Sequence, residues 1–247
     1  MEAEFDTVAG WTESVVRELG ADYAIPAACR GSGQPSWLRW IADALRLRPI
    51  DRFLDAGAGL GGPAAWLREN HGVDPVHAEP MTGACLGARR LFGRPTVAAW
   101  SQALPFRDGT FDAAWLLGVL CATRAKVPAL TELRRVLVPG GRLGLLVLVQ
   151  TADELPDAPE GNVFPTHRSL LEYLREAGFT VESQTGTGCL AEASTAWSGR
   201  VRRVEELLEG RYADREAYRQ AHEQEQRIGR LLNDGLLETT LLSLRSA

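Results

Sequence analysis

The chain has 247 residues, 45% of them hydrophobic and 24% charged, with a formal net charge of −5. That composition excludes disorder, collagen, coiled coil and low-complexity scaffolds, and the length suits one α/β domain that folds without disulfide or metal staples. The negative balance argues against nucleic-acid or anionic-membrane partners, which require clustered positive charge.

The opening MEAEFD is acidic and has no apolar core, so no signal peptide is expected and a cytoplasmic location is. Phe5, Val8, Trp11, Val15, Val16 and Leu19 recur at helical spacing and predict a helix over 4–20. Residues 29–35 (Cys-Arg-Gly-Ser-Gly-Gln-Pro) form a turn-rich loop, and a second helix is expected over 36–47 with Trp37, Leu38, Ile41, Ala44 and Leu45 inward. Short apolar runs at 52–56, 73–79, 95–99, 111–117 and 142–150 then alternate with helical patterns at 62–70, 82–91 and 126–137. Strands alternating with helices imply a parallel sheet covered on both faces. A helix over 167–177 leads through Ala177-Gly178 to a strand at 179–187, and the run 236–244 reads as a last strand. Between those two strands, 190–235 reads as an inserted lid, helical over 192–233 and rich in Arg and Glu. No apolar run is long enough to span a bilayer. Cys29, Cys85, Cys121 and Cys189 are far apart and show no metal or redox spacing, so reduced thiols and no metal site are expected.

The strongest motif is 53–62, Phe-Leu-Asp-Ala-Gly-Ala-Gly-Leu-Gly-Gly, where a strand meets a helix through a glycine-dense turn. Glycine there lets a ligand approach the backbone, and the new helix offers free N–H groups. Gly57, Gly59 and Gly62 satisfy GxGxxG, which alone would suggest a dinucleotide. Asp55 directly before the turn, and some fifty residues of helix ahead of it, point elsewhere. The next strand ends on Glu79, a carboxylate placed to accept from both hydroxyls of a ribose.

With these residues the chain resembles the class I S-adenosylmethionine (SAM)-dependent methyltransferases, particularly those acting on small molecules. Residues 55–61 look like the family's SAM loop, and Glu79-Pro80-Met81 resembles its ribose acid and adenine flank. Residues 103–112 (ALPFRDGTFD) and 132–143 (ELRRVLVPGGRL) are similar to its approaches to the fourth and fifth strands. The likeness covers roughly 50–187 and the last strand. It implies a Rossmann-like seven-stranded sheet in the order 3-2-1-4-5-7-6 with strand 7 antiparallel. It also implies SAM contacts from Asp55, Gly57, Ala58, Gly59, Glu79, Pro80, Met81, Trp100, Ser101, Gln102 and Leu117. One departure stands out: the acid the family places shortly before Leu-Pro-Phe to hold the adenine amino group is missing. That task falls to Ser101 and Gln102, with Trp100 or Met81 as apolar contacts.

Of the four histidines, His77 sits within a strand, and His71 and His222 read as surface residues. His167 follows Thr166, an N-cap, and is the one candidate general base. Trp197 either faces a substrate or anchors the lid. The expected function is methyl transfer from SAM to a small-molecule acceptor, plausible for a specialised metabolite. Segment 1–48 and the lid would cover the acceptor, and the oligomeric state stays open. The alternatives are a SAM-binding member catalysing a step such as cyclisation, or a non-catalytic SAM-binding module.

Overall fold

The structure, a computed structural model, describes residues 2–247. The central strands form because their apolar runs suit burial on both faces. They are β1 (Phe53–Ala56), β2 (Val76–Ala78), β3 (Thr96–Val97), β4 (Phe111–Leu117), β5 (Leu137–Gln150), β6 (Phe179–Gly186) and β7 (Leu237–Ser246). Their order is β3-β2-β1-β4-β5-β7-β6, with β7 antiparallel to both neighbours, as the resemblance implies. Side chains alternate across the sheet. Phe53, Ala113 and Trp115 face a core shared with Leu38 and Ile41 of α3 (Pro35–Ala44) and Trp66 and Leu67 of α4 (Gly62–His71). Leu54, Ala114 and Leu116 face Leu130 and Leu133 of α6 (Lys126–Val136), with Leu170 and Leu174 of α7 (His167–Glu176).

A third layer lies apart from the sheet. Val15 and Val16 of α1 (Glu2–Leu19) pack with Ala24 and Ala27 of α2 (Ala24–Ala28), Val204 and Leu208 of α8 (Thr195–Tyr212) and Tyr218 of α9 (Glu216–Asn233). Trp11 stacks on Tyr212 with ring centroids 4.2 Å apart. The first helices and the inserted helices are therefore one body. α1 also lies along α5 (Thr82–Phe92).

Several boundaries differ from the sequence expectation. The helix expected over 36–47 ends at Ala44, because Arg46 turns into the left-handed region at φ 50°; Ala42, not Ala44, faces inward. The stretch 192–233 is two helices, broken at 213–215. β5 begins at Leu137 directly after α6, since Leu137 pairs with Phe111 of β4 ahead of a register shift that resumes at the Ala113–Arg142 pair. β2 and β3 are shorter than expected.

Gly62 opens α4 where α2 crosses it. A Cβ there would stand 2.4 Å from the Ala28 carbonyl carbon and 2.6 Å from Cys29 N. Alanine normally favours a helix over glycine by roughly 1 kcal/mol. Here Gly62→Ala is expected to lower stability by about 1–3 kcal/mol, because backbone must move. A denaturant melt would show it as a reduced midpoint with an unchanged slope.

Candidate cofactor site

The parallel strands β1, β2 and β4 end at one edge of the sheet. At the end of β1, Gly57 takes φ 71°, and its N–H and that of Ala58 donate to the Ala78 carbonyl at 2.8 and 3.1 Å. The turn is thereby tied to the end of β2. A Cβ on Gly57 would lie 2.4 Å from Val119 Cγ2, so the loop after β4 closes the other side.

Glu79, one residue past β2, completes a clasp. Its Oε2 accepts from the Gly59 N–H and its Oε1 from the Met81 N–H, both at 2.9 Å. Each oxygen keeps a further lone pair, an arrangement suited to a vicinal diol. Burial pushes the carboxyl pKa up, the two N–H donors oppose that shift, and the nearby Asp6 charge adds to it.

Asp55 is 2% exposed, and its Oδ2 has no hydrogen-bond partner among the described residues. Its pKa is raised to about 7, chiefly by burial. The Trp115 indole opposes the rise without completing a hydrogen bond, and the Glu79 charge adds to it. A buried, unpartnered carboxylate oxygen calls for a polar or cationic ligand group. The same environment pushes the Cys29 thiol up, through burial and the Asp55 charge.

The structure brings Asp55, Gly57, Ala58, Gly59, Glu79, Pro80 and Met81 together at this edge. Leu117 closes β4 one residue past the Ala56–Leu116 pair and is itself paired to Leu146 of β5. Trp100, Ser101 and Gln102 form the turn after β3; Ser101 is buried, while Trp100 is 44% exposed. His167 is elsewhere: its Nε2 lies 2.6 Å from Glu238 Oε1 at the start of β7. In the strand order β7 is three positions from β1, about 14 Å at ordinary strand spacing. Trp197 packs half-buried against the core of α3 and α4.

Two residues of α1 reach this site that the sequence reading did not assign to it. Asp6 Oδ1 accepts from the Gly83 and Ala84 N–H groups at 2.5 and 3.1 Å, capping α5 from another helix. Phe5 Cζ lies 3.7 Å from where a Gly59 Cβ would stand. An acidic residue near the front of an amphipathic helix was the available signal, but it does not identify a partner 77 positions away.

Comparison with known proteins agrees with this geometry. The sequence model of a family described as a methyltransferase domain matches residues 54–145. The chain is 42% identical over 108 residues to a demethylmenaquinone methyltransferase of Beutenbergia cavernae, covering 43% of this chain and 45% of that protein. It is 31% identical over 128 residues to a ubiquinone/menaquinone biosynthesis C-methyltransferase of Stenotrophomonas maltophilia, covering 48% and 51%. The chain thus aligns with about half the length of these relatives. Among solved structures, the [4+2]-cyclase SpnF superposes with a TM-score of 0.75 at 22% identity, over 99% of this chain and 95% of that one. A geranyl diphosphate methyltransferase in complex with SAM gives 0.63 at 15%, over 85% and 84%. The methyltransferase-domain match lies over the glycine turn and the strands that carry it, and the sheet order agrees with that of the class I SAM-dependent methyltransferases the sequence resembles.

Proposed function

We propose that this protein transfers the methyl group of SAM to a small-molecule acceptor held beneath α1, α2, α8 and α9. The observation that carries the proposal is the Glu79 clasp on Gly59 and Met81, set beside the unpartnered Asp55 oxygen. These residues fit the cofactor: Glu79 for the ribose hydroxyls, Asp55 for the methionine ammonium, and the Gly57–Gly59 backbone for close approach. Bound SAM would supply an electrophilic methyl on a positively charged sulfur. The chain's own part is to orient the acceptor and exclude water. The quinone and terpenoid relatives support a small organic acceptor.

The test is formation of S-adenosylhomocysteine from SAM across a panel of phenols, quinols, amines and carbon acids. Turnover on one class supports the proposal. Tight SAM binding with no turnover on any class favours a second reading, a non-methylating step such as cyclisation. That reading draws on the superposition with SpnF, which spans both the first helices and the lid.

The cover should respond to binding. Lids come from the less stable parts of a fold. Amide exchange in 5–37 and 192–233 is expected to slow when SAM and acceptor bind together, and protection confined to 55–80 would contradict the cover.

His167, held by Glu238 on an exposed surface, is not needed for alignment. His167→Ala is expected to leave SAM affinity and turnover within about threefold of wild type. A loss of 10²–10⁴-fold in turnover alone, roughly what removal of a general base costs, would restore it as the proton acceptor.

A further inference from the structure

Trp37 stands in the first turn of α3, at the same edge of the sheet as the cofactor turn. α3 starts there and runs down the sheet, so that its far end, Ala44, accepts from Ser243 Oγ of β7 at 3.4 Å. The loop ahead of α3 lies on the ends of β4 and β5. A Cβ on Gly118, just past β4, would meet the Gly31 carbonyl oxygen at 2.5 Å. One on Gly33 would lie 3.3 Å from Leu146 Cδ1 and 3.4 Å from Trp37 Cε3. Val119, next in the chain to Gly118, is the residue that closes on Gly57. Trp37 is thus joined to the cofactor turn by short steps through bare backbone.

The Trp37 indole is unsatisfied. Its Nε1 is buried and has no hydrogen-bond partner among the described residues. A buried indole ordinarily donates to something, because an unmet buried donor is costly. The indole N–H donates only, so the missing partner is an acceptor atom. The surroundings are apolar: Leu117 and Leu146 of the strands, with Ile25, Leu190 and Trp197 packed on the same cluster. Leu190 and Trp197 come from the segment that enters α8, which Ser36 Oγ holds by donating to the Ala191 carbonyl at 2.6 Å. Arg30, in the loop ahead of α3, is committed to Glu225, its Nε donating to Oε1 at 3.1 Å. Such a wall penalises a charged partner and accepts a neutral oxygen.

We propose that Trp37 selects the acceptor: its Nε1–H donates to a carbonyl oxygen of an otherwise apolar, uncharged molecule lying against the ends of β4 and β5. The assignment of that molecule as the methyl acceptor rests on the methyltransferase reading; the binding of a carbonyl at Trp37 does not.

α-Tetralone is a suitable probe. Its controls are tetralin, the same bicycle without the carbonyl, and tetralin carboxylate, an anionic counterpart. Each is titrated into the full isotope-labelled chain, with and without SAM, and followed by NMR. Trp37→Phe, which keeps an aromatic ring, identifies the Trp37 signal among the seven indole N–H signals by its loss, and sequential assignment does so if the variant folds poorly. That signal is expected to move downfield saturably with α-tetralone, as a new hydrogen bond requires, and not with tetralin. α-Tetralone should bind about three- to tenfold more tightly than either control, and Trp37→Phe should remove that margin while leaving tetralin affinity unchanged. An indole signal that stays in place, either control binding as tightly as α-tetralone, or an equal loss of α-tetralone and tetralin in the variant would overturn the role of Trp37. A downfield shift in a chain that does not bind SAM would sink the proposed function and support the carbonyl site. SAM turnover with an unmoved Trp37 signal would do the reverse.

Discussion

Glu79→Ala should weaken SAM binding by about 1–3 kcal/mol, roughly five- to 150-fold, with little change in the sheet. Two effects act together. The ribose hydroxyls lose their acceptor, and the Gly59 and Met81 N–H groups lose the carboxylate that holds the turn in shape. Glu79→Gln separates them. Its amide oxygen satisfies only one of the two N–H donors, so its affinity should fall between Ala and wild type. Calorimetric titration of the three proteins at one pH checks the order. An unaffected Glu79→Ala would remove the clasp from the cofactor site.

The second large effect is a pH dependence set by Asp55. Its pKa in the free protein is raised to about 7, mainly by burial. An ammonium ligand favours the ionised form, so binding must deprotonate Asp55 below that value. SAM affinity is therefore expected to rise roughly fivefold to tenfold between pH 6 and 7.5, at about 1.4 kcal/mol per unit below the pKa. Asp55→Asn should bind weakly and flatten this dependence. Stability carries the opposite sign. For an acid whose folded pKa is raised, stability is fully present below the unfolded value near 3.9 and is lost as pH rises through about 7. Without ligand, Asp55→Asn should thus gain on the wild type between pH 5 and 8. Thermal melts across that range check it, and parallel curves for the two proteins would contradict an ionising Asp55.

The central sheet was legible because its signals are local. The glycine turn, the carboxylate after β2 and the apolar run of β5 each declare themselves within ten residues. The strand order came from the resemblance, and the pairing of β7 with β5 and β6 agrees with it. The layer of first and inserted helices was less legible. α2 is five residues long and contains Pro26, too short for a helical period to register. The end of α3 depends on Arg46 in a left-handed conformation, and the spacing of Leu45 and Leu47 does not reveal it. The Asp6 cap on α5 joins segments distant in sequence, so only the folded chain juxtaposes them. His167 shows the converse. A sound N-cap motif with the Thr166–Ser169 capping box fixed its helix, while the sheet order set it away from the turn.

The most direct measurement is a calorimetric comparison of SAM and NAD binding to the purified chain. The clasp, the unpartnered Asp55 oxygen and the family match predict saturable one-site binding of SAM. NAD should bind far more weakly, since its pyrophosphate would meet the Asp55 and Glu79 carboxylates. Saturable NAD binding with no heat from SAM would contradict the account.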